Sequence, residues 1–164
     1  MKRIKVINEP TELVPVMRAM DTDIKRKVFM EVSNRWCTAD DVEKLYGEEG
    51  RQALAFFEKM KLVETRWESV NSLSEKAYHT YYQSFHINTT VAVQDIAEVL
   101  SAVVMPDKEF AKLENKILAR VKEGSSFAGD LAEELGLTQT MLRALVKRST
   151  MLDYRGHRVE LAES

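Results

Sequence analysis

From Phe127 to Arg148 the apolar residues recur at helical spacing, and the recurrence is broken once, at a glycine. Leu131 and Leu135 mark a first stripe, Leu142 and Leu145 a second, with Leu137 between them. Ala132 is small where two helices must cross closely, and Gly136 sits where a turn needs positive φ. Thr138 can accept a hydrogen bond from a free backbone N–H of the following turn, which predicts a helix from about 139 to 149. At roughly 100° per residue, Met141, Leu142, Leu145, Val146 and Ser149 share one side of that helix. Gln139, Thr140, Arg143, Ala144, Lys147 and Arg148 share the other. Leu152–Tyr154 and Arg158–Leu161 then read as two short strands around Gly156, a minimal wing behind a helix-turn-helix.

The N-terminal part repeats this order. After Arg3–Ile7, the residues Leu13, Val16, Met17 and Met20 mark a helical face, with Pro15 tolerated if the helix starts near Thr11 or later. Asp21 or Thr22 caps a second helix with Ile24, Val28, Phe29 and Val32 inside. Thr38-Ala-Asp-Asp41 caps a third helix that ends near Tyr46. Gly47 makes the turn to a fourth, from about Glu48 to Lys61, carrying Leu54 and Phe57. Trp67–Lys76 reads as a hairpin loop, and Ala77–Ile87 as one extended strand with Tyr78, Tyr82 and His86 on one face. The stretch 93–104 is apolar at helical spacing through Ile96, Val99, Leu100 and Val103, and must be buried between modules or in a dimer seam. Pro106 breaks it, which predicts one module over 1–104 and a second over 105–164. The fold class is mainly α with small β wings, a tandem winged helix-turn-helix.

Composition narrows the function. The chain has 164 residues, 45% of them hydrophobic, enough for one ordinary core or two small ones. Six glycines, three prolines and no linker-like run favour a compact helical protein. No apolar stretch approaches a membrane span and no cleavable leader is legible, so the expected location is cytoplasmic. Cys37 is the only cysteine, which leaves no internal disulfide and no thiolate cluster. His79, His86 and His157 lack a partner at metal-ligand spacing, so no metal and no cofactor are expected. Catalytic groups at useful spacing are also missing, which argues against an enzyme.

Charge is unevenly placed. The whole chain carries a net charge of −2, yet Leu137–Val159 holds the five cations Arg143, Lys147, Arg148, Arg155 and Arg158 against Asp153 alone. Clustered cations on a helix that also presents polar side chains suit double-stranded DNA. In this reading Gln139, Thr140 and Arg143 contact bases, while Lys147, Arg148, Arg155, His157 and Arg158 hold phosphates. The fourth helix balances Arg51, Lys59 and Lys61 against Glu48, Glu49 and Glu58, which leaves Arg51 and Gln52 as secondary contacts. A homodimer presenting two motifs about 34–36 Å apart would match successive major grooves. The alternative is a winged-helix protein-interaction module of the transcription or replication machinery, supported by the net acidity and the aromatic wing. No small-molecule effector is legible.

The run Leu54-Ala-Phe-Phe-Glu-Lys-Met-Lys-Leu-Val-Glu-Thr-Arg66 resembles the helix-into-wing passage of ArsR-like winged-helix transcription regulators. The chain as a whole is similar to archaeal members carrying two such modules, with Ala77–Asn88 between them. The resemblance implies a cytoplasmic, dimeric, DNA-binding regulator. Lys61 stands where such proteins often have glycine, and the paired thiolates of metal-sensing members are missing, so thiol-based metal sensing does not carry over.

Overall fold

In the computed structural model, which describes residues 2–163, the order of elements follows the predicted rhythm closely. Strand β1 (Ile4–Ile7) and a 3-10 turn (Pro10–Glu12) precede α1 (Leu13–Ala19) and α2 (Asp23–Asn34). Next come β2 (Cys37–Thr38), α3 (Ala39–Lys59), β3 (Val63–Val70), β4 (Leu73–Thr80) and β5 (Ser84–Ile87). Four helices follow, α4 (Val93–Val104), α5 (Asp107–Lys122), α6 (Ala128–Leu135) and α7 (Gln139–Arg148), and then β6 (Leu152–Arg155) and β7 (Arg158–Leu161). No described helix is long and apolar enough to cross a membrane.

Packing divides the chain differently from the proline break at 106. One unit is built from Ala19–Ile87 with the chain up to Val6, the other from Ile7–Arg18 with the chain from Asn88 onward. Helix α4, read from the sequence as the close of the first module, puts Val99, Ala102 and Val103 into one core with Ile117, Leu131, Leu142, Leu145 and Val159. Val14 and Met17 of α1 join the same core. A proline ends a helix, but which neighbour covers that helix is decided by apolar faces far apart in the chain.

In the N-terminal unit the caps are where the hydroxyls predict them. Thr22 accepts from the Lys25 N–H, and Thr38 and Asp41 exchange side-chain and backbone bonds in a capping box. Gly47, at φ 72°, splits α3 into two helical segments. Val28, Val32, Cys37, Val42, Leu54 and Phe57 form the core, with Phe29 meeting Phe57 edge-on at 5.2 Å. The sheet order is β2-β4-β3. The segment read as a hairpin loop, Trp67–Lys76, is mostly paired strand, since the ladder runs from Val63 opposite Thr80 to Val70 opposite Leu73. Only Asn71 and Ser72 turn, at φ 51° and 67°, so serine-rich composition misled where a two-residue turn suffices. The single strand expected over Ala77–Ile87 is also broken. β4 ends at Thr80, the Tyr81 N–H donates to the Leu62 carbonyl, and β5 pairs with β1 instead. Arg3 and Lys5 then cover the rings of Tyr81 and Tyr82 at 4.3 and 5.3 Å.

The end of α3 explains the unusual Lys61. The Leu62 N–H reaches the Phe57 carbonyl and the Lys61 N–H the Glu58 carbonyl, a double closure that places Lys61 at φ 59°. A left-handed non-glycine residue costs about 1–2 kcal/mol, and glycine returns about 0.5–1 kcal/mol of that as chain entropy. Lys61→Gly is therefore expected to stabilise the protein by up to about 1 kcal/mol, read as a higher urea midpoint at unchanged slope. A lower midpoint would contradict the strain assigned here.

The second unit follows the same local logic. Pro15 lies in the first turn of α1, where the backbone N–H has no helical partner to lose. Gly136 closes α6 at φ 66°, Thr138 caps α7 by accepting from the Met141 N–H, and Gly156 turns β6 into β7 at φ 61°. β6 and β7 pair antiparallel, and Phe127, just ahead of α6, bridges Arg158.

Candidate nucleic-acid interface

Helix α7 carries the residues singled out for DNA, but its two sides are divided less evenly than residue type suggests. Leu142, Ala144, Leu145, Val146, Arg148 and Ser149 are all buried. The polar side therefore consists of Gln139, Thr140, Arg143 and Lys147, and both Ala144 and Arg148 leave it. Arg148 is 5% exposed. Its guanidinium donates to the carbonyls of Ala102 and Met105 at 2.9 and 2.7 Å and to Asp107 at 2.9 Å, and it lies 4.3 Å from the Phe110 ring. Those carbonyls are the unsatisfied C-terminal groups of α4, so the cation caps that helix. Helical periodicity puts Arg148 on the outer side, but three oxygens more than forty residues upstream in the chain hold it inside.

Arg143 projects from the polar side and is not bare. It pairs with Glu9, and its guanidinium stacks 4.5 Å from the Tyr154 ring. Burial works against its charge, but Glu9 and Tyr154 raise its pKa further, so it stays a cation throughout the useful pH range. Thr140 donates to Asp95 at 3.2 Å, and the hydroxyl of Thr138 donates to Glu98 at 2.8 Å. Carboxylates at the start of α7 also meet the positive end of its dipole. A polar cavity of ≈330 Å³ opens beside these groups, lined by Glu9, Thr11, Asp95, Gln139, Arg143 and Tyr154 among others.

Gln139 is exposed. Lys147, His157 and Arg158 form no ion pair among the described residues, and Arg158 donates to the Ser126 hydroxyl at 2.9 Å. Arg155 lies within 4 Å of Asp153, Glu160 and Glu163, all on exposed side chains. In the other unit Gln52 is exposed, whereas Arg51 is held by Asp40 and by Glu43 at 2.7 Å. Those carboxylates raise the Arg51 pKa, Glu43 most.

Sequence reasoning did not find Glu9, Asp95, Glu98 or Tyr154 as neighbours of the helix. Glu9 and Arg143 are 134 residues apart, and no local spacing reports such a pair. Cys37 is buried in the core of the N-terminal unit, and burial raises its thiol pKa, which keeps it protonated and inert. No group of three or more His, Cys, Asp or Glu residues placed to hold a metal occurs among the described residues.

Comparison with known proteins decides the class. The sequence profile of the ArsR transcriptional regulators matches residues 7–163. The chain belongs to the ArsR family. Its match runs through both packing units, so the transcriptional-regulator class applies to the whole of this ArsR-family protein rather than to one half. No curated protein matches it.

Proposed function

We propose that this ArsR-family protein binds double-stranded DNA as a homodimer, with α7 and the β6–β7 hairpin as its main contact surface. Each unit is read as a winged helix. In both, a helix is followed by a second helix, a glycine turn, a third helix and a hairpin, and the residue ahead of the second helix bridges the hairpin, Cys37 to Tyr78 in one and Phe127 to Arg158 in the other.

The observation that carries the reading is the cation excess on α7 and its hairpin. Lys147 on the helix and Arg158 on the hairpin form no ion pair among the described residues, and His157 at the hairpin turn forms none either. Arg155 is tied only by exposed pairs, which contribute about 0–1 kcal/mol and exchange readily for phosphates. Gln139, Thr140 and Arg143 supply the hydrogen-bonding groups that base edges require. Arg148 is not assigned a phosphate, because its donors are committed to α4 and Asp107. Arg51 and Gln52 remain secondary contacts.

The dimer rests on α4. Opposite its packed side, Val93, Ala97, Leu100 and Val104 face outward, Val93 and Val104 at 83% and 74% exposure. Their 4-3-4 spacing is that of a coiled-coil seam, a self-complementary stripe suited to the same helix of a second copy.

The test is retardation of random duplex DNA across a salt series. Log affinity is expected to fall with log salt at a slope of roughly −3 or steeper, about −0.9 for each phosphate held. Leu100→Asp should elute as a monomer and show about half that slope. A second reading, a protein-interaction module, has one observation of its own, namely Trp67 and Leu73 at 69% and 68% exposure on the long hairpin. Absence of retardation at low salt, together with co-purification of another polypeptide, would favour that reading.

A further inference from the structure

We infer that the protein covers its own DNA-contacting helix, so that duplex binding competes with an internal acidic cover. This rests on the reading of α7 given above and concerns its regulation. Two segments make the cover, Asn8–Glu12 ahead of α1 and the first turns of α4. Glu9 occupies the guanidinium of Arg143, Asp95 accepts from Thr140, and Glu98 accepts from Thr138. Each carboxylate oxygen stands where an acceptor on nucleic acid would have to stand, since an ionised carboxylate and a phosphate present the same chemistry to a guanidinium or hydroxyl. Two of the three proposed base-contacting side chains are thus engaged within the chain, and Gln139 lines the cavity beside them.

The cover is built to be displaced rather than permanent. The side chain of Glu9 is half exposed, at 51%, and the segment holding it is a short 3-10 turn in which the Asn8 N–H meets the Glu12 carboxylate at 3.3 Å. Thr11, beneath the same turn, has its hydroxyl buried with no hydrogen-bond partner among the described residues, a penalty that opening removes. Thr11 and Glu9 both line the spaces on either side of the Arg143 side chain. Ile7 and Val14, both fully buried, anchor the segment on either side of the turn. Movement of the turn frees Arg143, and rotation of the Asp95 and Glu98 side chains frees Thr140 and Thr138, so opening leaves α4 and the core in place.

Neutralising the cover should strengthen DNA binding. Labelled random duplex is titrated with the full chain as wild type, as E9Q/D95N, and as E109Q, which removes one exposed charge that forms no ion pair among the described residues. E9Q/D95N is expected to bind at least about tenfold tighter than wild type at moderate salt, with E109Q within about twofold of it. Equal effects of E9Q/D95N and E109Q, with wild-type binding that still depends on Arg143 and Lys147, would overturn the cover and leave the DNA reading standing. If neither wild type nor E9Q/D95N binds duplex at low salt while both unfold cooperatively at similar temperatures, the DNA reading fails and the cover with it.

Discussion

Reversing Arg143 and Lys147 together to glutamate is expected to weaken duplex binding by about a hundredfold and to flatten the salt dependence by about one unit of slope. Arg143 contributes as a base contact, for which about 1–3 kcal/mol is typical, and Lys147 as one phosphate contact. The sum, about 3 kcal/mol, corresponds to roughly two factors of ten. The fold should tolerate the change. The Arg143–Glu9 pair has partly exposed side chains and such pairs contribute about 1 kcal/mol at most, while Lys147 forms no pair among the described residues. Thermal unfolding of the double variant should therefore stay within a few degrees of wild type. A folded double variant with undiminished, salt-sensitive binding would move the interface to the N-terminal unit, where Gln52 and Arg51 would be examined next.

Arg148→Met should do the opposite, lowering stability and sparing DNA. The substitution keeps an apolar stem over Phe110 but removes the donors to two α4 carbonyls and to Asp107. A buried acceptor left without a partner costs about 1–3 kcal/mol, so the two carbonyls alone predict a loss of about 3 kcal/mol. For a unit of this size that is a fall in Tm of more than about 10 °C. Under conditions where the variant is folded, its affinity for duplex should remain within about threefold of wild type. A large loss of affinity with an unchanged Tm would return Arg148 to the DNA surface.

These two arginines show where sequence reading succeeds and where it stops. The hydroxyl caps at Thr22, Thr38 and Thr138, and the turns at Gly47 and Gly136, were legible because each is decided within a few residues of backbone. The apolar stripes of α6 and α7 were legible for the same reason. Arg143 and Arg148, five residues apart on one helix, fall on a common side by helical periodicity, yet one is held at the surface by Glu9 and the other inside by Ala102 and Met105. Their fates depend on partners from remote segments, which periodicity does not encode. The hairpin was misjudged differently. Asn71 and Ser72 turn the chain in two residues, and the serines beside them, which suggest a loop by composition, lie in paired strands instead. The placement of α4 fails to follow from local signals too, because both of its long sides are apolar and only the tertiary structure selects the one that packs.

The interleaving of the two units has a consequence for how the chain is made. Val14 and Met17 are synthesised early, but the surfaces they pack against, around Val99, Leu142 and Val159, emerge last. Ala19–Ile87 holds its own core and can close while translation continues, whereas the dozen residues ahead of it must wait. The C-terminal half is therefore not a detachable cassette. Severed from its N-terminal strap it would have an open groove where α1 belongs.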